Sequence, residues 1–201
     1  MRFEILPVGT VKTSGGTTLS SGSYTNQSIK YSATDTGGVS YLQYKKPGAT
    51  SWATYTAKTL VSGTGWHTWR AVDKAGNISE ETTVYYDAVS PTGTLYGGTT
   101  SKSSGSYTNA SYVKYVASDT ASGVATCYVK MPNTSYYTSY TSGSQLTAEG
   151  TYQFYCVDKA GNQSSVVTIT KDTVKPTGTL YAGTSAVASG TSTNAAYIKF
   201  I

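Results

Sequence analysis

Few residues in this 201-residue chain are equipped for chemistry: one histidine (His67), two cysteines (Cys127 and Cys156) and ten carboxylates. A single imidazole excludes a multi-histidine metal centre. No serine or cysteine with a supporting acid is tied to His67 by spacing, so a hydrolytic triad is not expected. Two thiols with no histidine nearby make a poor zinc set. The recurring donors are oxygens. Val72-Asp-Lys-Ala-Gly-Asn77 returns as Val157-Asp-Lys-Ala-Gly-Asn162, and Asp87 and Asp119 lie between them. Oxygen donors of this kind suit calcium, which takes about six to eight of them. The same Asp and Asn side chains also bond backbone N–H groups in tight turns with no ion present. The choice depends on where the chain brings them.

The chain is organised by a repeat of about 85 residues. Pro91-Thr-Gly-Thr-Leu-Tyr96 recurs as Pro176-Thr-Gly-Thr-Leu-Tyr181, and Ser21–Asn26 recurs at Ser104–Asn109 and, varied, at Ser189–Asn194. Pro7, Pro91 and Pro176 open the units, while Pro47 and Pro132 share one equivalent turn. The units are residues 7–90, 91–175 and 176–201. The third contains only a first strand and the start of a second.

Within a unit the apolar period is two, which reads as strands. Ser and Thr fill 62 positions and Tyr 19, a mix that favours strands and turns over long helices. In the second unit the expected strands are Gly93–Gly97, Tyr112–Ser118, Gly123–Met131, Tyr137–Leu146, Thr151–Val157 and Ser165–Lys171. Six or seven short antiparallel strands in about 85 residues predict an all-β chain of tandem immunoglobulin-like sandwiches. The inward positions are expected at Leu95, Val113, Tyr115, Ala117, Val124, Cys127, Val129, Phe154, Cys156, Val167 and Ile169. Their counterparts in the first unit are Val11, Ile29, Tyr31, Ala33, Val39, Leu42, Tyr44, Trp69, Ala71, Thr82 and Val84.

Ile198 and Phe200 match the inward Val113 and Tyr115. Two strands cannot bury that face alone. The expectation is that the third unit is the beginning of another sandwich in a longer array. The competing reading is a hairpin that pairs with another molecule's sheet and drives assembly.

The pattern Asp35–Val39, Tyr44 and Gly65–Ser79, repeated as Asp119–Val124 and Gly150–Ser164, resembles the bacterial immunoglobulin-like or fibronectin-like repeats of cell-surface and secreted proteins. The Val-Asp-Lys-Ala-Gly-Asn-x-Ser hairpin carries most of the likeness. The first unit departs from it at His67 and Trp69, where the second has Tyr152 and Phe154. The resemblance implies a non-catalytic spacer or stalk that holds other domains away from the cell. The alternatives are an adhesin or carbohydrate-binding accessory module, and a strand-exchanging filament subunit. It implies an extracellular or cell-surface location, with neighbouring domains of the same chain as partners.

In such a sandwich the loops after the second and sixth strands lie at one end, facing the preceding domain. Asp119, Asp158 and the linker residue Asp87 are therefore candidates for a weak interdomain calcium site, with turn chemistry as the alternative. Asp172 would play the part of Asp87 for the third unit. Cys127 and Cys156 replace Leu42 and Ala71 on neighbouring strands, giving either a cross-strand disulfide within one sheet or two buried thiols. Export favours the bond. His67 is expected to bond backbone at its strand's start, as Tyr152 would. The aromatics Tyr41, Tyr44, Trp52, Tyr55, Trp66, Trp69, Tyr136, Tyr137 and Tyr140 are candidates for stacking on sugars or on a protein partner.

Net charge is +5, spread as an excess of two cations in each full unit, and only Lys45 and Lys46 are adjacent. A nucleic-acid binder concentrates such charge on one face, so no nucleic acid is expected. No apolar run approaches the roughly 20 residues of a membrane helix. The start, Met1–Thr10, lacks the apolar stretch of a signal peptide.

Overall fold

The computed structural model describes residues 5–201; Met1–Glu4, part of the segment read for a signal peptide, lie outside the described residues. The first unit contains β1 (Val8–Thr13), β2 (Thr18–Leu19), β3 (Ser23–Thr25), β4 (Ile29–Thr34), β5 (Val39–Lys45), β6 (Ala53–Tyr55), β7 (Gly65–Asp73) and β8 (Thr82–Tyr86). They form a three-stranded sheet, β2-β1-β4, and a five-stranded sheet, β3-β8-β7-β5-β6. The second unit repeats the plan with β9 (Thr92–Gly97), β10 (Thr100–Lys102), β11 (Ser106–Thr108), β12 (Val113–Ser118), β13 (Val124–Lys130), β14 (Thr138–Tyr140), β15 (Gly150–Asp158) and β16 (Val167–Lys171). Its sheets are β10-β9-β12 and β11-β16-β15-β13-β14. The third has β17 (Leu180–Ala182), β18 (Ser185–Val187) and β19 (Ile198–Phe200), in one sheet ordered β18-β17-β19. The chain is an all-β tandem of immunoglobulin-like sandwiches.

Each full unit has eight strands, not six or seven, and one pairing is parallel. The recurring Ser-Gly-Ser-Tyr-Thr segment, which lies outside the expected strands, crosses between the sheets. Its glycine turns the chain at φ +86° in both units, and β3 and β11 then run parallel to β8 and β16. The expected Tyr137–Leu146 strand also shortens. After Tyr140 a turn closes through Ser144 N–H to Thr141 C=O at 3.0 Å, with Gly143 at φ +87°. Leu146 then returns as an isolated bridge to Val113.

Alternation along the strands places the core between the sheets. In the second unit it joins Leu95, Val113 and Tyr115 from the smaller sheet to Cys127, Val129, Phe154, Cys156 and Ile169 from the larger. The expected Ala117, Val124 and Val167 pack at its margin. Tyr140 and Tyr152 are buried as well. In the first unit Tyr55 joins Val11, Ile29, Tyr31, Leu42, Trp69, Ala71 and Val84, while Ala33, Val39 and Tyr44 lie at the margin and Thr82 is half-buried.

Tyr55 and Tyr140 were expected as exposed stacking residues; both are 7% exposed. Their hydroxyls accept the main-chain N–H of Tyr31 and Tyr115, each at 3.0 Å. They also donate to the carbonyls of Thr59 and Ser144. A buried phenol so satisfied contributes its ring to the core without an orphaned polar group.

One packing detail recurs in all three units. A Cβ placed on Gly9, Gly93 or Gly178 would overlap the ring of Tyr31, Tyr115 or Phe200 respectively. The first strand therefore carries glycine where the aromatic ring of β4, β12 or β19 crosses it. In the third unit that ring is open on its other side: Phe200 is 72% exposed and Ile198 61%.

Candidate functional site

The segment between the last strand of the first unit and the first strand of the second is five residues, Asp87–Pro91. Asp87 is fully buried in it. Its Oδ1 accepts the Val89 N–H at 2.8 Å and its Oδ2 the Ser122 N–H at 3.0 Å. Its main-chain carbonyl accepts Asn162 Nδ2–H at 2.9 Å. The linker thus bonds both the β12–β13 loop and the β15–β16 hairpin. Tyr85 Oη–H adds a third contact across the junction, to the Ala121 carbonyl at 3.1 Å. Lys159 Nζ lies 5.6 Å from the ring centre of Tyr24, which itself packs on Trp66 and Tyr85.

Asp119 and Asp158 frame the two loops. Asp119 Oδ1 accepts N–H groups from Ala121 at 3.1 Å and Gly123 at 2.6 Å. Asp158 accepts Asn162 N–H at 2.8 Å on Oδ1 and Asn162 Nδ2–H at 2.7 Å on Oδ2. Gly161 supplies the turn between them at φ +94°, as Gly76 does at +93° in the first unit. The Asp158 bonds are the turn chemistry expected of Asp-Lys-Ala-Gly-Asn, and Asp73 and Asn77 reproduce them. The structure also brings the three sequence-singled acids together: one carboxylate oxygen from each of Asp87, Asp119 and Asp158 lies within 4.8 Å of the others.

Two opposed effects act on Asp87. Burial pushes its pKa up, and the polar groups of Ser122 and Val89 around it outweigh that, so the net shift is downward. Burial, then the charges of Asp87 and Asp119, push the Tyr85 phenol up. Tyr85 therefore stays a neutral donor to Ala121. The sequence reading missed Ser122, Tyr85 and Asn162 as junction residues. One signal was available: the loop from Asp119 to Val124 is one residue longer than that from Asp35 to Val39.

Cys127 and Cys156 face each other across β13 and β15 and are joined by a disulfide. Leu42 and Ala71 hold the same paired positions in the first unit. His67 is buried, with Nε2 2.7 Å from the Gly63 carbonyl and Nδ1 2.7 Å from Tyr44 Oη. Neither partner is an acid, and both ring nitrogens are engaged. Trp69 is fully buried, in stacked contact with Tyr31 and Tyr44. Of the remaining aromatics singled out, Tyr41, Trp66 and Tyr136 are exposed. Trp52 is half-buried between Lys45 and Arg70, 4.3 and 4.2 Å from its ring centre. Tyr137 packs edge-on against Tyr155, which stacks on Tyr128.

No helix of the described residues is long and apolar enough to cross a membrane. No protein-family model matches the chain, and no curated protein matches it. Among solved structures it is similar to the fibronectin(III)-like modules of Clostridium thermocellum CbhA, with 19% sequence identity, 81% of this chain and 95% of that one covered, and a TM-score of 0.34.

Proposed function

We propose that this chain is a non-catalytic spacer from the extracellular or cell-surface part of a bacterial protein, built from immunoglobulin-like units held at a fixed angle. The observation that carries the reading is the bonding of the linker itself. Asp87 is held by Ser122 and Asn162 while Tyr85 reaches Ala121, so rotation of one unit against the other would break three buried or half-buried hydrogen bonds. Each is worth about 0.5–1.5 kcal/mol, enough together to favour one arrangement. Small-angle scattering of the intact chain tests it. An elongated particle with one interunit separation is expected, broadening in the Tyr85→Phe/Asn162→Ala double variant. A wild-type profile already that of freely jointed units would overturn the reading.

A glycan-binding role is supported by one separate observation. Tyr24, Tyr85 and Trp66 adjoin on the outer face of β3, β8 and β7, and Trp66 is 42% exposed. The second unit has Tyr107, Thr170 and Thr151 at those positions. Affinity electrophoresis in soluble polysaccharides, wild type against Trp66→Ala, separates this reading from the spacer.

A further inference from the structure

The carboxylates at the junction make no ion pair among the described residues. Asp87 and Asp158 are buried and Asp119 is half-buried, yet the ion pairs among the described residues are Lys45–Glu81 and Lys171–Glu149, neither at this site. Lys159, the nearest cation in sequence, is directed at the Tyr24 ring. The backbone bonds to the carboxylates do not single the place out, since in the first unit Asp35 accepts the Gly37 N–H and Asp73 those of Ala75 and Asn77.

Ser122 does single it out. It is 4% exposed, and its hydroxyl oxygen has no hydrogen-bond partner. Its own N–H is bonded to Asp87 Oδ2 at 3.0 Å, which holds the residue against that carboxylate. A buried hydroxyl left without a partner is destabilising. A ligand that accepts its lone pair recovers that cost. Ser122 belongs to the loop that is one residue longer than its counterpart.

We infer that Asp87, Asp119, Asp158 and Ser122 bind one divalent cation of the calcium class between the first and second units. Every donor is a hard oxygen, which excludes a preference for thiophilic metals. Oxygens on opposite sides of one Ca²⁺ are about 4.6–5.2 Å apart, so the 4.8 Å cluster can enclose a single ion. Mg²⁺ holds opposed ligands at about 4.2 Å in a strict octahedron, which three carboxylates from a linker and two loops match less well. The ion would tie the linker to both loops. It deepens the junction reading above, on which it rests for the fixed placement of the two units.

Terbium luminescence on the intact chain tests this, since Tyr85 lies close enough to sensitise a bound Tb³⁺. The expected result is saturable emission at one ion per chain, displaced by Ca²⁺ with a dissociation constant of about 0.1–1 mM, the range of extracellular modules. Asp119→Asn, which keeps a turn-forming side chain, should weaken Ca²⁺ binding about tenfold or more. Asp35→Asn, the same change in the first unit, should leave it unaltered. Near-UV circular dichroism establishes that each variant is folded. No saturable binding below about 10 mM Ca²⁺, or equal affinity in Asp119→Asn and wild type, overturns the site. Scattering separates the two readings. A rigid chain that binds no Ca²⁺ leaves the spacer standing, and a chain that binds Ca²⁺ but scatters as loose units leaves only the ion.

Discussion

His67 Nε2 donates to the carbonyl of Gly63 at 2.7 Å, and Tyr152, 85 positions later, donates to that of Ala148 at 2.8 Å. Two different side chains thus make one bond, each to the residue four positions earlier. Because a carbonyl only accepts, Nε2 carries the proton, and Nδ1 is left to accept from Tyr44. The second unit has Val129 where Tyr44 stands, making room for the longer phenol.

This pair makes the first unit acid-sensitive. Burial lowers the His67 pKa, against a smaller upward effect of the Gly63 carbonyl. The unfolded chain therefore takes up the proton first. The His67 contribution is fully present above about pH 6.5, the unfolded value, and is lost as pH falls from there through the lower folded value. All three tryptophans, Trp52, Trp66 and Trp69, belong to the first unit, so their fluorescence reports its unfolding alone. Urea titrations at a series of pH values should show this loss in wild type. In Tyr44→Val/His67→Tyr, which installs the second unit's pair, the slope should flatten. Equal slopes in the two proteins would remove His67 as the cause.

The disulfide should stabilise only the second unit. Cys127 and Cys156 are 29 positions apart, a loop for which chain entropy gives roughly 3–4 kcal/mol. Calorimetry with and without reductant should lower one transition and leave the tryptophan-reported one in place. The Cys127→Leu/Cys156→Ala variant carries the first unit's pair and should fold with a single reductant-insensitive profile. A reductant effect persisting in that variant would place the stabilisation elsewhere.

Glu149 fastens the end of the second unit. Its carboxylate pairs with the buried Lys171 ammonium and accepts the Thr173 hydroxyl at 2.6 Å and N–H at 3.0 Å. Lys171 first, and Thr173 second, hold its pKa down to about 2. With the folded value below the unfolded one, the contribution is fully present above about pH 4.5 and disappears as pH falls through about 2. Glu149→Gln should lower the second unit's melting temperature at neutral pH, and the gap to wild type should close toward pH 2. A constant gap across that range would show that packing, not charge, is what the substitution removes.

The sheets were legible because inward residues alternate and because two copies of each strand could be compared. The joint change of Leu42 and Ala71 to Cys127 and Cys156 puts the two cysteines on neighbouring strands, and the structure decides for the bond over two buried thiols. Tyr55 and Tyr140 were misplaced since a phenol reads as half-polar, and only the structure shows the main-chain N–H that each one satisfies. The convergence of Asp87, Asp119 and Asp158 followed from the end of the sandwich to which their loops belong. Ser122 did not, because one serine in a loop carries no periodic signal and its partner, Asp87, is 35 positions away.

The glycine beneath each aromatic ring has a consequence during synthesis. Thr92–Tyr96 and Thr177–Tyr181 are identical in sequence, and each brings a glycine that fits under Tyr115 as well as under Phe200. The first strand of one repeat can therefore complete its neighbour, and tandem domains emerging together from the ribosome are exposed to such exchange. What tells the full repeats apart is their interiors: stacked Trp69 and His67 in one, a sulfur bridge in the other. Those differences lie on β7, β13 and β15, so they leave the first strand as interchangeable as before.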